Sequence, residues 1–379
     1  MRATPSTTAC RDVNPLRQPG ELRLATFQAV AHGADAALYF QMRASRGACE
    51  KYHGAVIGHA GRDDTRVFRE VAALGRELEL LGTATLGART PARTALLFDW
   101  DSCWALEMSD GPSRLVKYQD TVHAYYRAAR EAGADVDVVP VTADLTPYDV
   151  VLAPVLHMVK GDLASRLEEV AARGGTVLTT FLSGRVDEHD RAFLTDVPGP
   201  LAPLMGVRVD EWDARPAEYT QTVPELDAHA RLVLEIVRPR GAEPVATYGG
   251  DFYAGTPAVT RHPYGEGEGW YVATALDQPG VDRVVRRILD RHDLLGPYAD
   301  HRTVETATRV APDGTHLLFL LNHAAATVDL TSHVTATDLL TGKRIERGEP
   351  LCLDPLGVAV LRLQPIVTTR AQDGGESGT

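Results

Sequence analysis

From residue 93 to about 295 short apolar runs alternate with amphipathic stretches, and this alternation narrows the possible folds more than any other feature. Residues 94–100 (TALLFDW), 136–141, 150–156 (VVLAPVL) and 176–182 (TVLTTFL) read as strands. Between them, 118–132 and 162–172 have helical spacing and close on Gly133 and on Gly174 and Gly175. Strands that are apolar almost throughout, separated by helices, indicate a parallel sheet covered on both faces. Residues 245–248, 258–262 and 270–276 add strands, and 282–292 a closing helix. The fold class of this stretch is therefore α/β, of flavodoxin-like or amidotransferase-like type.

The segment before it, to about residue 86, has a different grammar. Residues 21–32 place Leu22, Ala25 and Ala29 at helical spacing, beside Phe27, Val30 and Ala31, with Gly33 as the stop. An apolar strand, 36–40, then opens into a polar loop carrying Gln41, Arg43, Arg46, Glu50, Lys51 and His53. A second helix begins with Asp63 or Asp64 as N-cap, aligns Val67, Phe68, Val71, Leu74, Leu78 and Leu81, and ends at Gly82. Helix, strand, loop, helix is the pattern of the last repeat of a (β/α)-barrel, where polar loops at strand ends face the ligand. A whole barrel takes about 250 residues and eight strands. The segment is thus expected to be a barrel remnant. Its strand, without neighbours, would leave residues before about 86 loosely attached, beside a compact core over 93–363.

After Pro297 short alternating strands at 304–310, 315–322, 327–330, 334–340 and 357–363 are separated by turn signals such as Pro312-Asp313-Gly314 and Thr341-Gly342. They describe a small antiparallel β domain. Four regions are expected: 1–86, 93–297, 300–365, and a polar, Gly-rich, disordered tail over 366–379. No internal repeat is evident.

Composition bounds the function classes. A hydrophobic share of 44% and a charged share of 24% are those of a globular protein. The net charge of −12, without a basic block, argues against nucleic acid or an anionic membrane as partner. No run reaches the roughly 18 apolar residues of a membrane span. Residues 1–15 show no apolar core of a secretory leader. Cys10, Cys49, Cys103 and Cys352 are scattered with no CxxC pair, so neither a metal cluster nor a disulfide framework is expected, and a reduced, cytoplasmic setting is. Other motifs read as structural. Ser183 lacks the flanking glycines of a nucleophile elbow and is expected in a strand-end turn. Cys103 lies in a polar-aromatic stretch, residues 264–269 (YGEGEG) join two strands as a hairpin, and Asp187-Glu188-His189-Asp190 is a carboxylate-rich loop rather than a metal site.

The strings MRATPSTT at 1–8, AHGAD at 31–35, FQ at 40–41, RASRG at 43–47, EKYHG at 50–54, FDWDS at 98–102 and FLSGRVDE at 181–188 resemble the carboxyl-terminal part of a bacterial family forty-two β-galactosidase. The resemblance covers nearly the whole chain. It implies the end of a catalytic (β/α)8 barrel, an amidotransferase-like domain over 93–297 that builds a homotrimer, and a small β domain. The implied reaction is retaining hydrolysis of terminal β-galactosides, without cofactor or metal, by two carboxyl groups about 5 Å apart.

The resemblance also exposes departures. The family reads Met-Glu-Ala-Thr-Pro-Ser where this chain has Met1-Arg2-Ala3-Thr4-Pro5-Ser6, so Arg2 occupies the nucleophile's position. The family's acid/base Glu lies upstream of the portion this chain matches. Ala9-Cys10 replaces an Asn-Trp pair, Met42 a Trp, and Cys103 a second Trp before Trp104. Glu50 and His53 are retained and by resemblance hydrogen-bond galactose hydroxyls; alternatively they cap the loop and pair with Arg43 or Lys51. The expected product is an amino-terminally truncated β-galactosidase-family chain, inactive alone, binding galactose or a galactoside if its site is completed. The alternatives are a non-catalytic oligomerisation or carbohydrate-binding protein derived from the enzyme, and a longer natural product with a complete barrel.

Overall fold

The computed structural model describes residues 13–364 and the backbone of residues 2–3. The chain divides into two compact units, 1–90 with 303–379, and 91–302.

The first unit opens with β1 (Arg2–Ala3), α1 (Glu21–Ala31), β2 (Leu38–Tyr39) and α2 (Arg66–Leu81). Gly33, at φ 103, follows α1 as expected. The buried side of α1 is Leu22, Leu24, Thr26, Phe27, Val30 and Ala31, so the expected Ala25 and Ala29 are displaced from it. Thr26 lies inside because its hydroxyl donates to the Leu22 carbonyl (2.8 Å) and shares a hydrogen bond with the Tyr39 hydroxyl (2.8 Å). The N-cap of α2 is Thr65, whose Oγ1 accepts from the Phe68 amide (3.2 Å). Asp64, expected there, instead pairs with Arg62. The strand expected over 36–40 shrinks to β2, and it has a neighbour: β1 runs parallel to it, Arg2 opposite Leu38 and Ala3 opposite Tyr39.

The second unit begins with β3 (Thr94–Phe98), α3 (Trp100–Met108), α4 (Tyr118–Glu131), β4 (Val136–Pro140), β5 (Val150–Ala153), α5 (Leu163–Ala172), β6 (Thr176–Thr180) and α6 (Ala202–Met205). It continues with β7 (Val207–Ala214), β8 (Thr220–Val223), β9 (Ala228–Pro239), β10 (Glu243–Thr247), β11 (Pro257–Tyr264), β12 (Gly267–Val272), β13 (Thr274–Leu276) and α7 (Gln278–Arg291). Seven strands form one sheet in the order β10-β11-β12-β6-β5-β3-β4. Its five parallel members, β4-β3-β5-β6-β12, have the flavodoxin-like order. The expected hairpin at 264–269 joins β11 to β12, with Tyr264 opposite Gly267.

Alternate strand residues feed two cores, as the pleat requires. Leu96, Val150, Leu152 and Leu178 meet Val122 and Tyr125 of α4 and Val285 and Ile288 of α7 on one face. Ala95, Leu97, Val151 and Val177 meet Leu163, Leu167 and Val170 of α5 on the other. Two features differ from expectation. Residues 100–108 are a helix, not a strand end with a polar-aromatic stretch, and Cys103 is buried in it. Strands β7, β8, β9 and β13 make a separate antiparallel sheet that the apolar pattern does not announce.

That second sheet is pinned to the first by Glu235, which is completely buried. Its carboxylate accepts from the Tyr271 hydroxyl (2.6 Å), the Arg185 guanidinium (2.7 Å) and the Leu182 amide (3.1 Å). Arg185 also lies over the Trp212 ring, 4.8 Å from its centre.

The chain returns to the first unit with β14 (Val304–Val310), β15 (His316–Asn322), β16 (Val328–Thr331), β17 (Ala336–Asp338), β18 (Arg344–Ile345), β19 (Pro350–Leu353) and β20 (Val358–Leu363). Five form a sheet ordered β14-β15-β20-β17-β18, and β16 pairs with β19. The expected antiparallel β domain is present, but it does not stand alone. Ala307, Leu317, Phe319, Leu321 and Val360 share one core with Leu22, Phe27 and Val30 of α1 and Leu74 and Leu81 of α2. Helices α1 and α2 are thus packed on this sheet rather than loosely attached, through Leu22, Phe27, Val30, Leu74 and Leu81. Arg309 of β14 is fully buried, and its guanidinium donates to the carbonyls of Val30 (3.0 Å), Ala34 (3.3 Å) and Ala88 (2.6 Å) and to Asp35 (3.2 Å). Among the described residues no helix is long and apolar enough to cross a membrane. The tail over 366–379, with Ala9 and Cys10, lies outside the described residues.

Two substitutions test these anchors. Arg309→Met leaves three carbonyls without their donor and should destabilise the first unit by roughly 3 kcal/mol. Calorimetry reads the loss, and limited proteolysis should cut within 21–81 where the unmodified chain resists. Glu235→Ala strands Arg185 beside buried groups and should cost the second unit about 3 kcal/mol or more. Glu235→Gln, which keeps the shape, should cost less; urea unfolding followed by circular dichroism separates the two.

Candidate functional site

The polar loop after β2 is an excursion closed at its base. A cis peptide joins Phe40 to Gln41. The Val56 amide donates to the Gln41 carbonyl (2.9 Å), Ile57 to Met42 (2.8 Å) and Ala44 to Ile57 (3.0 Å), so 41–44 and 56–57 run as a short ladder. Residues 45–55 project between these two segments. The loop turns at Ala48, with φ 57, into a 3-10 helix, Cys49–Tyr52, which brings Glu50 and His53 into one turn. The His53 amide donates to the Glu50 carbonyl (2.9 Å).

The side chains there are unevenly satisfied. The ammonium of Lys51 donates to the Ala48 carbonyl (3.2 Å) and lies 5.6 Å from the Tyr52 ring centre. It is therefore spent locally, and neither it nor Arg43 pairs with Glu50, whose carboxylate has no ion-pair partner among the described residues. Phe40 presents its ring to His53 edge-on at 6.2 Å, fixing the imidazole plane. Two polar atoms here are buried and lack a partner among the described residues: Nδ1 of His53 and Nε2 of Gln41. The Gln41 Oε1, by contrast, accepts from the Ser45 hydroxyl (3.0 Å), which fixes the amide's orientation. Buried polar groups are ordinarily hydrogen-bonded, so unmatched ones beside a depression are suited to a polar ligand. A depression of about 610 Å³ adjoins His53, lined also by Arg46, Lys51, Tyr52, His59 and Thr65; Gln41 and Glu50 are not among its lining residues. His59, not singled out from the sequence, is oriented by the Ser45 carbonyl (2.8 Å).

Of the three residues singled out from the sequence, Glu50 and His53 are brought together. Arg2 is placed by its backbone alone, in β1 beside Leu38. The remaining motifs are absorbed by structure. The Ser183 hydroxyl is buried and accepts from the Thr179 hydroxyl (2.7 Å). Asp187 accepts from the amides of His189 (2.9 Å) and Arg191 (3.0 Å) and pairs with the Arg191 guanidinium (2.9 Å). Cys49, Cys103 and Cys352 are free thiols. His157, at the carboxyl end of the parallel sheet, is held below its ordinary pKa by burial, with Nδ1 against the Leu182 carbonyl (3.0 Å).

Comparison with known proteins matches three regions in order. Residues 1–81 match the family described as β-galactosidase, 92–295 the β-galactosidase trimerisation domain, and 303–363 the β-galactosidase C-terminal domain. The chain is 41% identical over 370 residues to the β-galactosidase BgaA of Planococcus sp., covering 95% of this chain and 54% of that one. It is 37% identical over 350 residues to LacZ of Lactobacillus acidophilus, covering 92% and 52%. The chain therefore spans about half the length of the curated relatives it matches. Its structure superposes on the crystal structure of a β-galactosidase from Bacillus circulans sp. alkalophilus with a TM-score of 0.91 at 39% identity, covering 96% of this chain and 55% of that one. A catalytic mutant of Gan42B, a β-galactosidase from G. stearothermophilus, gives 0.90 at 32% identity, covering 96% and 54%. With the trimerisation-domain match covering more than half of this chain and the other two regions flanking it in order, the chain belongs to the β-galactosidases of glycoside hydrolase family forty-two.

Proposed function

We propose that these residues form the carboxyl-terminal part of a retaining β-galactosidase. In this reading 1–86 end the catalytic barrel, 93–297 assemble copies of the chain as a homotrimer in the cytoplasm, and 300–365 are the small β domain. The observation that carries it is the loop after β2, where Glu50 and His53 share one turn at a strand's carboxyl end with a carboxylate and an imidazole nitrogen unpaired among the described residues. Such groups suit a ligand made of hydroxyls, and the family's matched relatives are named β-galactosidases. In the proposed role Glu50 accepts from a galactose hydroxyl, and His53, oriented by Phe40, supplies a second hydrogen bond.

Chemistry at the anomeric carbon needs more than this loop. Retention of configuration takes an acid that protonates the leaving oxygen and a carboxylate that attacks from the opposite face. By the family resemblance the attacking carboxylate belongs where Arg2 stands. A guanidinium has no lone pair to offer, and its positive charge opposes the oxocarbenium-like transition state. We therefore assign these 379 residues a sugar-contacting and assembly role, with no turnover of their own.

Hydrolysis of a nitrophenyl β-galactoside by the purified chain, beside an Arg2→Glu variant, tests the assignment. Neither protein should release nitrophenol above the rate of buffer, since Arg2→Glu restores one carboxylate of two. Turnover by the unmodified chain would overturn the assignment of Arg2. Turnover by the variant alone would confirm the nucleophile's position and overturn the placement of the acid outside these residues.

A further inference from the structure

Helix α3 has two unlike sides. Ser102, Cys103, Ala105 and Leu106 are buried. On the other side Trp100, Trp104 and Met108 stand at i, i+4 and i+8, and are 51%, 54% and 79% exposed. The two indoles are stacked, 5.9 Å between centres and 27° between planes. Other large exposed apolar side chains of this unit, Phe252 among them, sit singly on separate elements, and Trp212 is covered by the Arg185 guanidinium. A single exposed apolar residue is unremarkable, but three in one stripe with stacked aromatics are not.

The stripe is also held rigid. Asp99 caps the helix by accepting from the Ser102 amide (3.0 Å). Lys160 ties Asp99 (2.7 Å) to Asp101 (2.6 Å), and Phe98 packs edge-on against Trp100 at 4.9 Å. Side chains already ordered lose little freedom on association. Tryptophan and methionine are enriched at the centres of protein interfaces, with charged residues around them. Asp101 and Glu107, exposed on the same helix, flank the stripe with charge here. Half-exposed tryptophans offer roughly 100 Å² each. A stable contact takes about 800 Å² per partner, so the stripe is a centre with room for more around it.

We infer that the Trp100–Trp104–Met108 face of α3 is the core of the contact between copies of this chain. The occupant is a second copy, because the unit bearing this face matches a region described as a trimerisation domain. The inference rests on the homotrimer reading given above and names its surface.

Sedimentation equilibrium of the purified chain and of a Trp104→Glu/Met108→Glu variant tests it, with Phe252→Ala as the control. The unmodified chain and the control should sediment as trimers. The double variant should sediment as a monomer with unchanged circular dichroism, its dissociation constant raised about 100-fold or more. A variant that is folded and still trimeric overturns the surface but leaves the homotrimer standing. An unmodified chain that is monomeric at all concentrations overturns both, and a shift of its tryptophan fluorescence with galactose would then mark the face as a sugar platform instead. Should the variant not fold, hydroxyl-radical footprinting of the unmodified chain decides. Oxidation of Trp104 and Met108 should fall several-fold between dilute monomer and concentrated trimer while that of Phe252 stays constant; equal reactivity in both overturns the inference.

Discussion

Arg309 holds the end of α1 to a strand 279 positions further along the chain. Its guanidinium carries five donors in a planar fork. Val30 and Ala34 offer carbonyls at a helix end, where the backbone has no partner of its own, and Ala88 offers one from the segment leading out of the unit. One buried side chain thereby ends a helix, fixes the strand that carries it and fixes the exit of the chain. A buried charge is costly unless its protons are matched; here main-chain oxygens take the two terminal nitrogens more than the half-exposed Asp35 does, while Nε has no partner among the described residues. The apolar core around it, with Phe27 and Phe319 both wholly buried, excludes water from these bonds.

The parts of the fold that were legible in sequence are those in which burial and periodicity agree. Strands β3, β5 and β6 are covered on both faces, so their composition is apolar without interruption, and the helices between them carry one apolar side each. The sheet of β7, β8, β9 and β13 was not legible. Strand β9 carries Arg231, Glu235 and Arg238 in twelve residues and bends at Leu232, with φ 61. Glu235 breaks the pattern because its charge is compensated by Arg185, Tyr271 and a main-chain amide from other elements, and pattern reading cannot see such partners. Helix α3 was missed for a different reason. Its cap, Asp99, sits inside an apolar string that reads naturally as continued strand.

The candidate site divides the same way. That Glu50 and His53 belong to one polar loop follows from their spacing. Their approach within a single turn depends on Ala48 at a positive φ, and the loop's closure on amides at 56 and 57 meeting carbonyls at 41 and 42. These are contacts between residues far enough apart that local preference does not specify them. The packing of α1 and α2 was not legible on similar grounds. The amphipathic faces of α1 and α2 are plain in the sequence, but nothing local says that the sheet of β14, β15 and β20 lies against them.

A body built from 1–90 and 303–379 is interrupted by the whole of the other unit. Its core is assembled from chain ends that leave the ribosome far apart in time. At about 5–20 residues per second, the helices α1 and α2 precede the last of the strands that cover them by roughly 15–55 s. Through that interval the 91–302 unit can complete its own sheets, whereas the sheet that packs on Phe27, Leu74 and Leu81 forms only afterwards. Within these residues, assembly is therefore ordered from the middle outward: the inserted unit can close before the body that flanks it.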